Sequence, residues 1–261
     1  MKGLLNAIKW EAKLSMKEYI SYRTSFVVDM VIFIGMFLLV YYMGIGSAFA
    51  NVYQVDAGTG GILMLIGYIF WQNASSALGS SSSIIRSELA EGIFELRMQS
   101  RYHVSAVIFA KVLLTILFDC ASYVGIMIFC WFVGSFQVGD IWTVVSSVVI
   151  SIPSIIGMYG FGLILGGMSV REKKLGSFVM LIQSGLLLVS NAMSPTRSGF
   201  VYLIPFASGI EIVRDLYTGR AVSVSLVALY LIINLLWLVV GELFFMKAIR
   251  QEREFGSFDS Y

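Results

Sequence analysis

Six apolar runs divide the chain, at about residues 26–46, 62–83, 104–133, 141–169, 176–193 and 222–246. Each is close to or longer than the roughly 20 mostly apolar residues that a membrane-crossing helix needs. Polar positions gather between them. Residues 47–61 carry Asp56 but no Lys or Arg, and residues 134–140 are again free of basic side chains. The long charged stretch, 84–103, lies between the second and third runs. Within it Glu88, Glu91 and Glu95 recur at i, i+3 and i+7, which on a helix gathers three carboxylates on one side, with Leu89, Ile93 and Leu96 on another. Taken by itself, such a stretch is equally well read as a solvated loop helix.

Ahead of the first run, Leu4, Leu5, Ile8, Ala12, Met16 and Tyr19 fall at helical spacing, and Lys9, Lys13 and Lys17 line another face. This predicts an amphipathic helix in the headgroup layer with its lysines toward anionic lipid, or one that faces a partner subunit. Between the fifth and sixth runs, Pro195 and Pro205 punctuate residues 194–221, and the apolar part, 200–212, is too short to cross. A re-entrant or interfacial segment is expected there, shielded by protein or a cavity, since irregular backbone is not tolerated against lipid. The expected fold is therefore an all-α polytopic membrane protein. It has an interfacial helix over 1–25, a six-helix membrane domain over 26–246 and a tail over 247–261.

Composition supports this class. With 58% hydrophobic residues, 13% charged residues and a mean hydropathy of +0.84, the chain is far from a soluble domain, whose charged share is nearer a quarter. The net charge of +2 says little, but its distribution orients the chain. Lys2, Lys9, Lys13, Lys17 and Arg23 precede the first run; Arg86, Arg97, Arg101 and Lys111 follow the second; Arg171, Lys173 and Lys174 follow the fourth; Lys247, Arg250 and Arg253 follow the sixth. Only Arg197, Arg214 and Arg220 fall on the other side, so the positive-inside rule places both termini in the cytoplasm. Lysines spread through the first 23 residues leave no compact apolar core for a cleavable signal, and the first crossing serves as the targeting signal. Cys120 and Cys130 share one run about 15 Å apart along a helix, too far for a disulfide.

Few residues could carry chemistry. Asp119 lies about 22 Å into the third run, where a charge costs at least ~3 kcal/mol. It is either hydrogen-bonded inside the bundle or active in transport or gating. A lone histidine, His103, and two in-run cysteines leave no metal ligand set, and no nucleophile motif occurs. The Gly-Lys-Ser/Thr phosphate loop is also missing. Driving energy must come from a gradient or from another protein. Trp71, Gln72, Asn73, Ser75 and Ser76 in the second run, and Gln183, Ser184, Ser190 and Asn191 in the fifth, either bond across helices or line a pathway for an amphipathic substrate.

Taken together, the N-terminal amphipathic stretch, the segment from Arg86 through Glu91, Gly92 and Glu95, and the Pro205 to Arg214 stretch leading to Tyr217 and Gly219 resemble the permease subunits of type V ABC exporters. The resemblance covers nearly the whole chain, by layout more than by motif. It implies that Glu88, Glu91, Gly92 and Glu95 belong to a coupling helix seated in a separate ATP-binding subunit, which alone binds ATP and Mg. It implies two permease copies, identical or paired with a relative, around a path to which Trp71, Gln72, Asn73, Gln183 and Asn191 contribute. It also implies a re-entrant outer helical hairpin carrying Glu211, Arg214 and Asp215, which limits opening outside. Export of a drug or an antimicrobial or other hydrophobic peptide across a bacterial cytoplasmic membrane is the leading expectation, without a nucleic-acid partner. A gradient-driven carrier or channel using Asp119, and a non-transporting membrane scaffold or immunity protein, are the competing readings.

Overall fold

The computed structural model describes residues 2–99, 103–132, 136–171, 176–195 and 199–255. Among the described residues every regular element is helical: α1 Lys2–Ser21, α2 Arg23–Tyr42, α3 Ile45–Tyr53, α4 Gly60–Ala90, α5 Ile93–Met98, α6 Val104–Phe132, α7 Ile141–Ile150, α8 Ile152–Arg171, α9 Gly176–Val189, α10 Ala207–Tyr217 and α11 Val224–Phe255. Five of them, α2, α4, α6, α8 and α11, are long and apolar enough to cross a bilayer.

The run that becomes α4, the least apolar of these five helices, is the axis of the bundle. Nearly all of its membrane stretch is buried, with α6, α8 and α9 packed around it and α3 and α10 over its first turns. α2 and α11 lie outside and turn most of their apolar side chains outward, as helices facing lipid or another chain do. Glycines set the closest approaches in α8. Gly160 meets the backbone of Trp237 and Leu238 in α11, and Gly162 meets Ser81 and Leu78 in α4. Cys120 and Cys130 both lie on α6 as free thiols.

Several boundaries differ from those the apolar runs predict. Residues 45–53 form α3 after a left-handed turn at Gly44, with Phe49 and Tyr53 buried against α4. The fourth run is divided at Ser151, one residue before the helix that contains Pro153. The fifth run is only the 14-residue α9, about 21 Å long against a hydrocarbon core of about 30 Å. Its neighbours nonetheless follow α4 for most of that helix's length. A Cβ added at Gly176 would fall 2.5 Å from Arg86 Nη1, Gln183 bonds the Ser75 carbonyl, and a Cβ added at Gly67 would fall 2.2 Å from the Ala192 carbonyl oxygen. Lys173 and Lys174 of the basic turn, Arg101 and Arg197 lie outside the described residues.

Candidate functional site

The C-terminal end of α4 is built differently from the single acidic helix that the spacing of Glu88, Glu91 and Glu95 suggests. α4 ends at Ala90, Glu91 caps it, and Gly92 takes φ +68 before α5 begins. That left-handed conformation suits glycine because it carries no Cβ. The three carboxylates therefore leave the common face. Glu88 turns inward and is 5% exposed. Its carboxylate accepts from Lys111 Nζ at 3.0 Å and pairs with Arg97 Nε at 2.7 Å. Arg97 Nη2 also donates to Glu11 of α1 at 2.9 Å, and Lys111 lies 3.9 Å from the same carboxylate. Four charges thus join α1, α4, α5 and α6, and the mostly screened network holds partners that would be costly to leave alone.

Glu91 and Glu95 stay exposed, with Gly92, Ile93 and Leu96 beside them. The apolar pair is 41% and 68% exposed, respectively. Between them Phe94 is buried edge-on against Phe245 of α11, 6.3 Å between ring centroids. α5 is therefore a short acidic and apolar ridge, anchored on its inner side to both ends of the membrane domain's sequence.

Inside the bundle, a groove of about 830 Å³ opens between α2, α4, α6 and α9. The structure brings Trp71 and Gln183 of the expected path residues to its wall. Trp71 Nε1 donates to the Gln183 carbonyl at 3.1 Å, and Gln183 Nε2 donates to the Ser75 carbonyl at 2.8 Å. Gln72, Asn73 and Asn191 are instead buried ties. Gln72 donates to Ser122, Asn73 donates to Ser151 while accepting from Tyr123, and Asn191 donates to the Ala207 carbonyl. The remaining groove wall is rich in serine, from Ser75, Ser76, Ser80, Ser83 and Ser87 of α4.

Asp119 lies at the middle of α6, eight residues or ~12 Å beyond Lys111, and accepts from Ser76 Oγ at 2.5 Å. It lines a second cavity of about 280 Å³ that shares Phe26, Asp29, Phe33, Ser76 and Thr115 with the groove. Phe26 meets Phe118 edge-on at 6.3 Å, so the first turns of α2 sit beside the centre of α6. Asp29 therefore shares a cavity with Asp119.

At the other end of α4, Arg214 of α10 is fully buried. Its guanidinium donates to the carbonyls of Leu63 at 2.9 Å, Asn191 at 2.7 Å and Ala192 at 3.1 Å, and lies 4.4 Å from the ring centre of Phe49. Glu211 accepts from Tyr53 at 2.8 Å, and the Asp215 carbonyl accepts from the Arg220 N–H at 2.8 Å. Tyr217 donates to Asp140 at 3.0 Å. α10 therefore fastens α3, α4, α9 and the start of α7 into one cap.

Glu11, Arg97 and Lys111 carry no motif. The only signal for them is the placing of opposite charges at the margins of apolar runs, since a charge held there needs a partner. Ser76 is the corresponding partner for Asp119.

Comparison with protein families matches residues 7–218 to the model described as ABC-2 type transporter. No curated protein and no solved structure matches the chain.

Proposed function

Since the chain belongs to the ABC-2 type transporter family, whose members are the membrane component of a transporter and work with an ATP-binding cassette subunit, we propose that it is the permease of an ATP-driven exporter for an amphipathic or hydrophobic substrate. The observation that carries this reading is the α5 ridge. Exposed Glu91, Ile93, Glu95 and Leu96 offer apolar contact within an acidic rim, and Arg97 and Phe94 join the ridge to α1, α6 and α11. A ridge that was only solvated would gain nothing from such anchorage.

In this mechanism the partner subunit holds ATP and Mg, and this chain holds neither. Closure of two ATPase subunits displaces α5. Because Arg97 is bonded to Glu88 and Glu11, and Glu88 to Lys111, the displacement reaches α1, α4 and α6 together. The groove beside α4 then changes its width, while the Arg214 cap keeps the outer ends of α4 and α9 in register. Two permease copies enclose the path. Trp71 and Gln183 face it, and Gln72, Asn73 and Asn191 hold its walls.

The contacts from Arg86 to Gly67 support α9 with residues 190–192 as a sixth crossing, since they follow 19 residues of α4, or ~28 Å. Six crossings return the C-terminus to the side of the N-terminus, in agreement with the distribution of Lys and Arg. The cytoplasmic face of a cell membrane is then the side that carries α1, α5 and the tail.

Replacing Glu91 and Glu95 together by lysine tests the coupling assignment. Both side chains are exposed, so the thermal midpoint should change little. Copurification of the ATPase subunit and ATP-dependent export should each fall at least tenfold. Survival of both would remove α5 from the docking site.

A further inference from the structure

We propose that the groove between α2, α4 and α6 selects organic cations, taking the positive centre of an amphipathic substrate against Asp29 and Asp119 and its apolar body against Phe26, Phe33 and Trp71. The inference rests on the reading of this groove as the transport path and names the class of substrate that the path takes.

The first observation is a charge imbalance inside a cavity. The groove and its smaller neighbour, of about 280 Å³, share walls, and the groove's volume of about 830 Å³ lies in the range of sites for drug-sized molecules. Three charged side chains line them: Asp29, Asp119 and Lys111. Lys111 is already matched by Glu88 at 3.0 Å and Glu11 at 3.9 Å. Neither Asp29 nor Asp119 forms an ion pair with Lys, Arg or His among the described residues. A carboxylate held at the middle of a crossing helix, as Asp119 is, is costly without a counter-charge, and a bound cation supplies one.

The second observation is independent of the carboxylates. Ser75 lines the groove, is only 6% exposed, and its hydroxyl has no hydrogen-bond partner among the described residues. Buried polar groups are normally satisfied, so an orphaned hydroxyl on a cavity wall marks a place where a ligand or water belongs. Aromatic rings complete the site. Tyr22, Phe26, Phe33 and Trp71 all line the groove, and ring faces attract cations that have left water. A protonated amine fits every feature, with its N–H groups for Asp29, Asp119 and Ser75. A quaternary or phosphonium centre fits the charge and the rings.

The discriminating probes are tetraphenylphosphonium and tetraphenylborate, two ions of nearly the same shape and opposite charge. Saturable binding of each is measured to the purified full chain in nanodiscs of zwitterionic lipid, with empty nanodiscs subtracted. The expected result is saturable phosphonium binding at least tenfold tighter than borate binding. Asp29→Asn, whose exposed side chain leaves folding untouched, should weaken the phosphonium at least fivefold, and the Asp29→Asn/Asp119→Asn pair at least twentyfold. Equal saturable binding of the two ions, no saturable binding of the phosphonium, or phosphonium binding unchanged in both variants would each overturn the proposal. Neither ATP nor a second protein enters this assay. A chain that binds the phosphonium selectively yet recruits no ATPase would contradict the exporter reading and leave cation selection standing, and the reverse outcome would do the opposite.

Discussion

Arg214→Met is expected to lower the stability of the purified protein by roughly 3 kcal/mol or more, because three buried carbonyls lose their donor at about 1–3 kcal/mol each. Methionine fills much of the volume, so the loss is one of hydrogen bonding and of the contact with Phe49, not of packing alone. The measurement is the thermal midpoint in mild detergent, followed by size-exclusion elution. Arg214→Lys separates charge from geometry. An ammonium is a point charge on a flexible stem and cannot present the planar fork that reaches Leu63, Asn191 and Ala192 at once. Lysine should therefore recover less than half of the loss. A midpoint for Arg214→Met equal to that of the unmodified chain would show that α10 does not fasten the first turns of α4.

Gly241→Val should be the most damaging single change in the membrane domain outside that cap. A Cβ at Gly241 would fall 2.0 Å from the Gly160 carbonyl oxygen and 2.7 Å from its Cα, and both are backbone atoms that cannot rotate away. α8 and α11 must then separate along their length, and among the described residues they form the most extensive helix pair. Overpacking a close helix contact costs typically 1–3 kcal/mol, and more when backbone must move. The variant is expected to express at a small fraction of the normal level and to elute as aggregate. Gly185→Val is the matched control: that position, on α9, has nothing within 4 Å of an added Cβ and should tolerate the change. Similar expression of the two variants would contradict the packing of α8 on α11.

These two sites show what the sequence makes visible and what it conceals. The apolar run predicted over 104–133 is α6 almost residue for residue, and the last run became α11, because length and hydropathy are local properties that the bilayer itself selects. The glycines of α8 stand in the sequence without their partners on α4 and α11, which only the packing reveals. Arg214 was legible only as one of several charges in the segment 194–221, which Pro195 and Pro205 punctuate. Its carbonyl partners are 151, 23 and 22 positions away in the chain, and nothing local encodes them.

The charged stretch at 84–103 fared similarly. Its acidic periodicity was real in sequence, but Gly92 breaks the helix, and the break sends Glu88 inward while leaving Glu91 and Glu95 outside. A period argument assumes an unbroken helix, and one residue at positive φ ends it. The pairing of Glu88 with Lys111 and Arg97 joins elements that sequence reading treats separately. α3 was missed because its nine residues, starting at a glycine turn, are too few to establish a helical pattern on their own.

The central claim is that this chain acts through a separate ATPase seated on α5. The most direct measurement is purification of the tagged chain in mild detergent, with copurifying proteins identified and vanadate-sensitive ATP hydrolysis assayed. The predicted result is a near-stoichiometric soluble subunit carrying a Gly-Lys phosphate-binding loop, with hydrolysis that is lost when Glu91 and Glu95 become lysine. The chain purifying alone, with no hydrolysis and no response to nucleotide, would contradict the account and move the driving force to a gradient working through Asp119.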